Sequence, residues 1–182
     1  KWNIYLVEAA SGTGKSSLCS YIYGYRKDYQ WIICFDETNI SSFSMDRWVD
    51  IRCRSLSILF QDLRLFPELT ALENVLLKNN LTHYKRQQEI TALFEQLDIA
   101  DKLHIRADKL SFGQQQRVAF IRSLCQPFDF ILLDEPISHL DDANADILAG
   151  MLMDEAAQQK AGVIVTSIGK HIGLNYDNIL KL

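Results

Sequence analysis

Ile4-Tyr5-Leu6-Val7-Glu8-Ala9-Ala10-Ser11-Gly12-Thr13-Gly14-Lys15-Ser16-Ser17-Leu18-Cys19 joins a short apolar run to a loop of small residues and then to a segment able to open a helix. A strand, a small-residue loop and a helix in that order build a phosphate-binding loop. Small side chains let backbone amides converge on phosphate oxygens, and the helix N-terminus adds positive potential. On this reading Ser11, Gly12, Thr13, Gly14, Lys15, Ser16 and Ser17 form the nucleotide-binding set. Lys15 serves the β and γ phosphates, and the Ser16 hydroxyl faces Mg2+. Ala9 stands where the usual pattern has glycine, which a turn with negative φ tolerates.

Working outward, β-rich apolar runs recur at Ile4 to Val7, Trp31 to Phe35, Leu56 to Phe60, Phe130 to Leu133 and Val163 to Thr166, with helical patterns between several of them. That alternation predicts an α/β fold with a largely parallel sheet. Between Gln61 and Leu110 the strand signal vanishes. Thr70-Ala71-Leu72-Glu73 reads there as a capping box that starts a helix, and Ile90, Leu93, Phe94 and Leu97 share one face of a second helix. Residues 62–109 are therefore expected to form a helical insertion in a single domain spanning 1–182, with 1–61 and 110–182 making the α/β lobe.

Phe130-Ile131-Leu132-Leu133-Asp134-Glu135-Pro136 is a continuous apolar run ending in two carboxylates, as in a buried parallel strand whose C-terminal edge faces a ligand. Asp134 can hold Mg2+ directly or through water, and Glu135 can polarise the water that attacks a γ phosphate. An acidic turn before a proline is the ordinary alternative for this segment taken alone.

Composition narrows the setting. The chain has 182 residues, 48% of them hydrophobic, enough to bury a core. Its strongly apolar runs are far shorter than the ~18 residues that cross a bilayer. Cys19, Cys34, Cys53 and Cys125 are scattered without metal-ligand spacing, which fits reduced thiols in a cytosolic protein, each packed as a small buried hydrophobe. A formal charge of −4 leaves no general basic surface for nucleic acid. Because Lys1 stands so close to the phosphate loop, a further N-terminal β portion is expected.

Leu110-Ser111-Phe112-Gly113-Gln114-Gln115-Gln116-Arg117-Val118-Ala119 resembles the signature motif of ABC (ATP-binding cassette) ATPases, usually LSGGQ followed by QQRVA. Further landmarks follow the family's order. Gln61, after the run Leu56 to Phe60, resembles the Q-loop glutamine that reaches Mg2+ and the attacking water. Leu59 to Pro67 is similar to the Q-loop of the short cassettes of lipoprotein release, macrolide export and cell division. Ser138-His139-Leu140-Asp141 resembles the D-loop that crosses the dimer seam.

The resemblance implies a P-loop NTPase with a RecA-like core, a parallel sheet and an inserted helical subdomain. It also implies an ATPase using ATP and Mg2+ as a sandwich dimer with a second copy of itself. Ser111, Gly113 and Gln114 would grip the γ phosphate held by the opposite copy, although Ser111 can also simply cap the following helix. Integral membrane transporter subunits are the implied partners, placing the chain on the cytoplasmic face of the membrane. Leu63, Leu65, Phe66, Pro67 and Leu69 would meet a partner's coupling helix or pack between the lobes.

The sequence departs from the family pattern at Ser167, which exits the strand Val163 to Thr166 where a histidine usually contacts the γ phosphate. A hydroxyl is shorter than imidazole and cannot carry positive charge. His171 is read as a solvated loop residue, and Phe112, in place of a glycine, as packing between lobes. The adenine-stacking aromatic would precede the loop by more than Trp2 does. Two other functions remain in play: a slow, binding-only regulatory cassette, and a soluble ABC ATPase of repair or translation.

Overall fold

The computed structural model describes residues 3–8, 15–169 and 171–181, with the backbone alone described at 15 and 16. Residues 9–14, where the sequence predicts a phosphate loop, and Trp2 lie outside the described residues. Five strands form one parallel sheet: β1 (Ile4–Glu8), β4 (Leu56–Leu59), β5 (Phe130–Asp134), β6 (Gly162–Ser167) and β7 (Asn178–Lys181), in the spatial order β4-β5-β6-β1-β7. Helices α1 (Lys15–Ile22), α2 (Met45–Arg54), α3 (Ala71–Asn79), α4 (Gln87–Gln96), α5 (Phe112–Leu124) and α6 (Asp142–Gln159) connect them.

The continuous apolar composition of β5 reflects cover on both faces. Ile131 and Leu133 enter the larger core with α5 and α6, while Leu132 points to a smaller one with Cys19, Trp48 and Ile51. Successive side chains of a strand leave on opposite sides, so a strand buried on both must be apolar throughout.

The Thr70 capping box forms as the sequence predicts. The Thr70 hydroxyl accepts from Glu73 N at 3.2 Å, and Glu73 Oε2 accepts from Thr70 N at 2.8 Å. On α4, Ile90 and Phe94 are fully buried, and Leu97 caps the helix from within the core. Ala71, Val75, Ile90 and Phe94 belong to the same apolar cluster as Leu59 and Ile131, so the inserted helices share one core with the sheet.

Two expectations need correction, and the sequence reading lacks one strand, β7. The run Trp31 to Phe35 does not join the parallel sheet: only Cys34–Phe35 (β2) is extended, paired antiparallel with Thr38–Asn39 (β3). Trp31 and Ile32 are 70% and 77% exposed, and the ribbon is anchored instead by Phe35 against Phe43 and Trp48. Cys34 is exposed and Cys53 half-buried, leaving only Cys19 and Cys125 as buried thiols. Strand β7 had no sequence signal because it is an exposed edge, paired to β1 alone. No described helix is long and apolar enough to cross a membrane.

A buried ionic network ties the insertion to α6. Lys85 Nζ lies 2.6 Å from Glu155 Oε2, with side chains only 9% and 7% exposed. Tyr84 and Gln159 each donate to Glu155 Oε1 at 2.8 Å. Removing one partner strands the other charge, so Glu155→Ala should cost roughly 3–5 kcal/mol in urea unfolding. The double replacement Lys85→Met with Glu155→Leu should recover most of that loss.

Candidate functional site

Parallel strands point the same way, so their C-terminal ends line up along one sheet edge. Glu8 of β1 is in register with Ser167 of β6, and Thr166 of β6 with Asp134 of β5. Gln61 follows β4 at the same edge, and β1 ends there at Glu8. A cavity of about 230 Å3 opens there, lined by Cys19 and Ser20 of α1, by Phe60, Gln61 and Arg64, and by Asp134.

Asp134 is 4% exposed and is held by a hydroxyl that sequence reasoning missed: Thr166 Oγ1 donates to its Oδ1 at 2.6 Å. A buried carboxylate fixed through one oxygen, on the wall of a cavity, suits an oxygen-preferring cation. Cys19 contributes no competing nucleophile, because burial, then the Asp134 charge, pushes its thiol far above the ordinary range.

Glu135 stands just beyond the strand, half-buried, in the left-handed region at φ 51°. Such backbone is uncommon for a residue with a Cβ and is tolerated where neighbours fix it. Here Glu135 N donates to Thr166 O at 3.1 Å. Its carbonyl, and that of Pro136, accept from the buried side chain of Gln116 at 3.3 and 2.8 Å. Gln116 is part of α5, so this bridge locks the turn carrying Glu135 to the helix that begins at Ser111.

That helix start does not line the cavity. Ser111 is exposed, and Gly113 and Gln114 are half-buried. Ser111 Oγ accepts from Gln114 N at 3.3 Å and Gln114 Oε1 accepts from Ser111 N at 3.0 Å, so the serine does cap its helix. Gly113 backs onto the His139 carbonyl, where a Cβ would sit only 3.2 Å away. Phe112 does not pack between helices and sheet: it is 46% exposed, its ring 4.4 Å from that of His139. The segments around Ser111 and His139 thus form one exposed surface.

The Q-loop backbone turns through two consecutive left-handed residues, Leu63 at φ 56° and Arg64 at φ 48°. Their carbonyls are held by the Arg122 guanidinium from α5. Leu63 is buried and Leu65 packs on the core, whereas Phe66 is 54% exposed. Ser17 Oγ accepts from Arg26 at 2.9 Å. Ser167 is buried at 4% exposure. His171 is not simply solvated, since its Nε2 lies 3.2 Å from Glu8 Oε1.

With this geometry established, residues 4–138 match the family model described as ABC transporter. The chain belongs to the ABC transporter family. The cassette is 30% identical over 164 residues to the lipoprotein-releasing system ATP-binding protein LolD of Saccharophagus degradans, covering 88% of this chain and 72% of that one. It is 33% identical over 165 residues to the thiamine import ATP-binding protein ThiQ of Haemophilus ducreyi, covering 88% and 74%.

Among solved structures, a dimeric bacterial ABC transporter cassette, MJ0796, superposes with a TM-score of 0.81 at 26% identity, over 91% of this chain and 75% of that one. A second dimeric structure of MJ0796, in a post-hydrolysis state with ADP and phosphate, gives a TM-score of 0.76 at 29% identity over the same shares. The fold is therefore the P-loop NTPase α/β fold of ATP-binding cassettes, as the signature residues implied.

Proposed function

We propose that the cassette binds and hydrolyses ATP as a sandwich dimer and drives an integral membrane partner. The observation that carries this reading is the convergence of Gln61 and Asp134 on one cavity at the sheet edge where β1 ends, while the exposed Ser111 turn does not line that cavity. One copy then contributes the loop from Ser11 to Ser17, with Lys15 as its fixed charge. The other contributes Ser111, Gly113 and Gln114 at a helix N-terminus able to hold an anion. Residues 62–109 act as the helical lobe, and 1–61 with 110–182 as the RecA-like lobe.

Asp134, steadied by Thr166, and the hydroxyl of Ser16 would hold Mg2+, with Gln61 reaching it from the Q-loop. When bound, Mg2+ neutralises charge developing on the phosphates. Glu135 accepts the proton of the attacking water. Ser167 offers the γ phosphate one hydrogen bond where imidazole would add charge. The resemblance to LolD, named as the ATP-binding protein of a lipoprotein-releasing system, and to ThiQ, named as a thiamine import ATP-binding protein, supports a membrane partner and a peripheral position on the cytoplasmic face.

Ser167 also favours a second reading, a slow regulatory cassette that closes on ATP. Steady-state phosphate release separates the two. Turnover on the order of 1 s⁻¹ or faster, abolished by chelating Mg2+, supports the hydrolytic motor. ATP-dependent dimerisation without turnover supports the regulatory form, and the absence of both overturns the proposal.

A further inference from the structure

Left-handed backbone away from glycine favours short polar residues in open turns, and Asp36 and Asp98 adopt it in that way, both exposed. Glu135 shares the conformation at φ 51° without those advantages: it carries a longer side chain and is half-buried beside β5. Something must hold it there. Its N–H is taken by Thr166 O, and its carbonyl and that of Pro136 are both taken by the side-chain nitrogen of Gln116.

The brace is one-sided. Gln116 is 2% exposed, and its buried Oε1 has no hydrogen-bond partner. An amide retained for packing alone would satisfy both ends, or give way to an apolar side chain of the same shape at little cost. Here only the nitrogen is used, and both its bonds go to the turn that carries Glu135. At the start of the same helix, Gly113 backs onto the His139 carbonyl and Phe112 meets the His139 ring, so the first turns of α5 follow the segment from Glu135 to His139.

We infer that Gln116 is a positioning residue for hydrolysis: by fixing the Glu135 and Pro136 carbonyls it keeps the turn left-handed and so sets the direction of the Glu135 carboxylate. This rests on the reading of Glu135 as the proton acceptor and adds what aims it. Without the two bonds the residue relaxes toward negative φ, and that rotation carries Cβ and the carboxylate to a new direction.

Two variants of the full-length protein test the role. Gln116→Met keeps the length of the side chain and loses both bonds, so kcat should fall by about 10²-fold while KM for ATP stays within about twofold of the parent. Placed on Glu135→Gln, the same change should leave the residual rate within about twofold, because nothing remains to be aimed, whereas a merely structural role predicts a further loss. Gln116→Glu supplies a pH signature. Burial and the two facing carbonyls push the introduced carboxyl above its ordinary range; protonated it donates to the turn, and ionised it repels it. The ratio of its kcat to that of the parent should therefore rise about tenfold from about pH 8.5 to about pH 6.

A kcat for Gln116→Met within about twofold of the parent, an additive loss on Glu135→Gln, or a flat pH ratio for Gln116→Glu overturns the positioning role and leaves the hydrolytic reading intact. Should Gln116→Met fail to fold, the pH ratio of Gln116→Glu decides alone, read on protein that circular dichroism shows folded at both ends of the range. If Glu135→Gln hydrolyses ATP at the parent rate, the reading of Glu135 fails and the role of Gln116 with it.

Discussion

Glu135→Gln should lower the rate of ATP hydrolysis by roughly 10²- to 10⁴-fold while leaving ATP bound and the dimer closed. The substitution preserves shape. The backbone bonds that hold the left-handed turn, from Glu135 N to Thr166 and from Gln116 to the Glu135 carbonyl, do not involve the carboxylate. What disappears is a group able to take a proton from water. Single-turnover phosphate release reads the rate, and a sizing column run with ATP reads the dimer. A rate within about tenfold of the parent would assign proton transfer to another residue.

Ser111→Asp should abolish ATP-dependent dimerisation without weakening the fold. Aspartate is as good an N-cap as serine, and a negative charge is favoured at a helix start. Gln114 N therefore keeps its acceptor, and thermal stability should stay within about 0.5 kcal/mol of the parent. The same carboxylate, exposed where a neighbour's γ phosphate is expected, repels it. Binding of ATP by the single chain should be unchanged, since the phosphate loop is untouched. A variant that still dimerises would show that the Ser111 turn does not meet phosphate.

Much of this arrangement was legible in the residues because local chemistry and global position agree there. The run ending at Asp134 is apolar throughout since both faces of β5 are covered, and Thr70 with Glu73 caps α3 as its spacing requires. Trp31 to Phe35 misleads because its apolar, β-prone residues read as a strand of the parallel sheet, whereas Trp31 and Ile32 stay exposed beside a two-residue ribbon. A propensity signal carries no information about which face meets the core.

The supporting residues were hidden for a different reason. Thr166 orients Asp134 across adjacent strands, Gln116 reaches the turn at Glu135 from another element, and Arg122 steadies the left-handed Q-loop backbone. Each acts through a contact distant in sequence, and threonine in a strand or arginine on a helix announces nothing by itself. Phe112 likewise looked like packing bulk, and only the fold sets it against His139 on the exposed surface.

The central claim is that two copies share each nucleotide, and complementation between two disabled chains tests it most directly. Lys15→Met removes the cation on the cis side and Ser111→Asp the grip on the trans side, both placed in a Glu135→Gln background so that bound ATP persists. Alone, each should remain monomeric with ATP in an analytical ultracentrifuge. Mixed, they assemble one intact composite site, with Lys15 from one chain and Ser111 from the other. Dimers are expected only in the mixture, holding a single ATP per pair. Dimers formed by either variant alone, or a mixture that stays monomeric while the Glu135→Gln parent pairs, would contradict it.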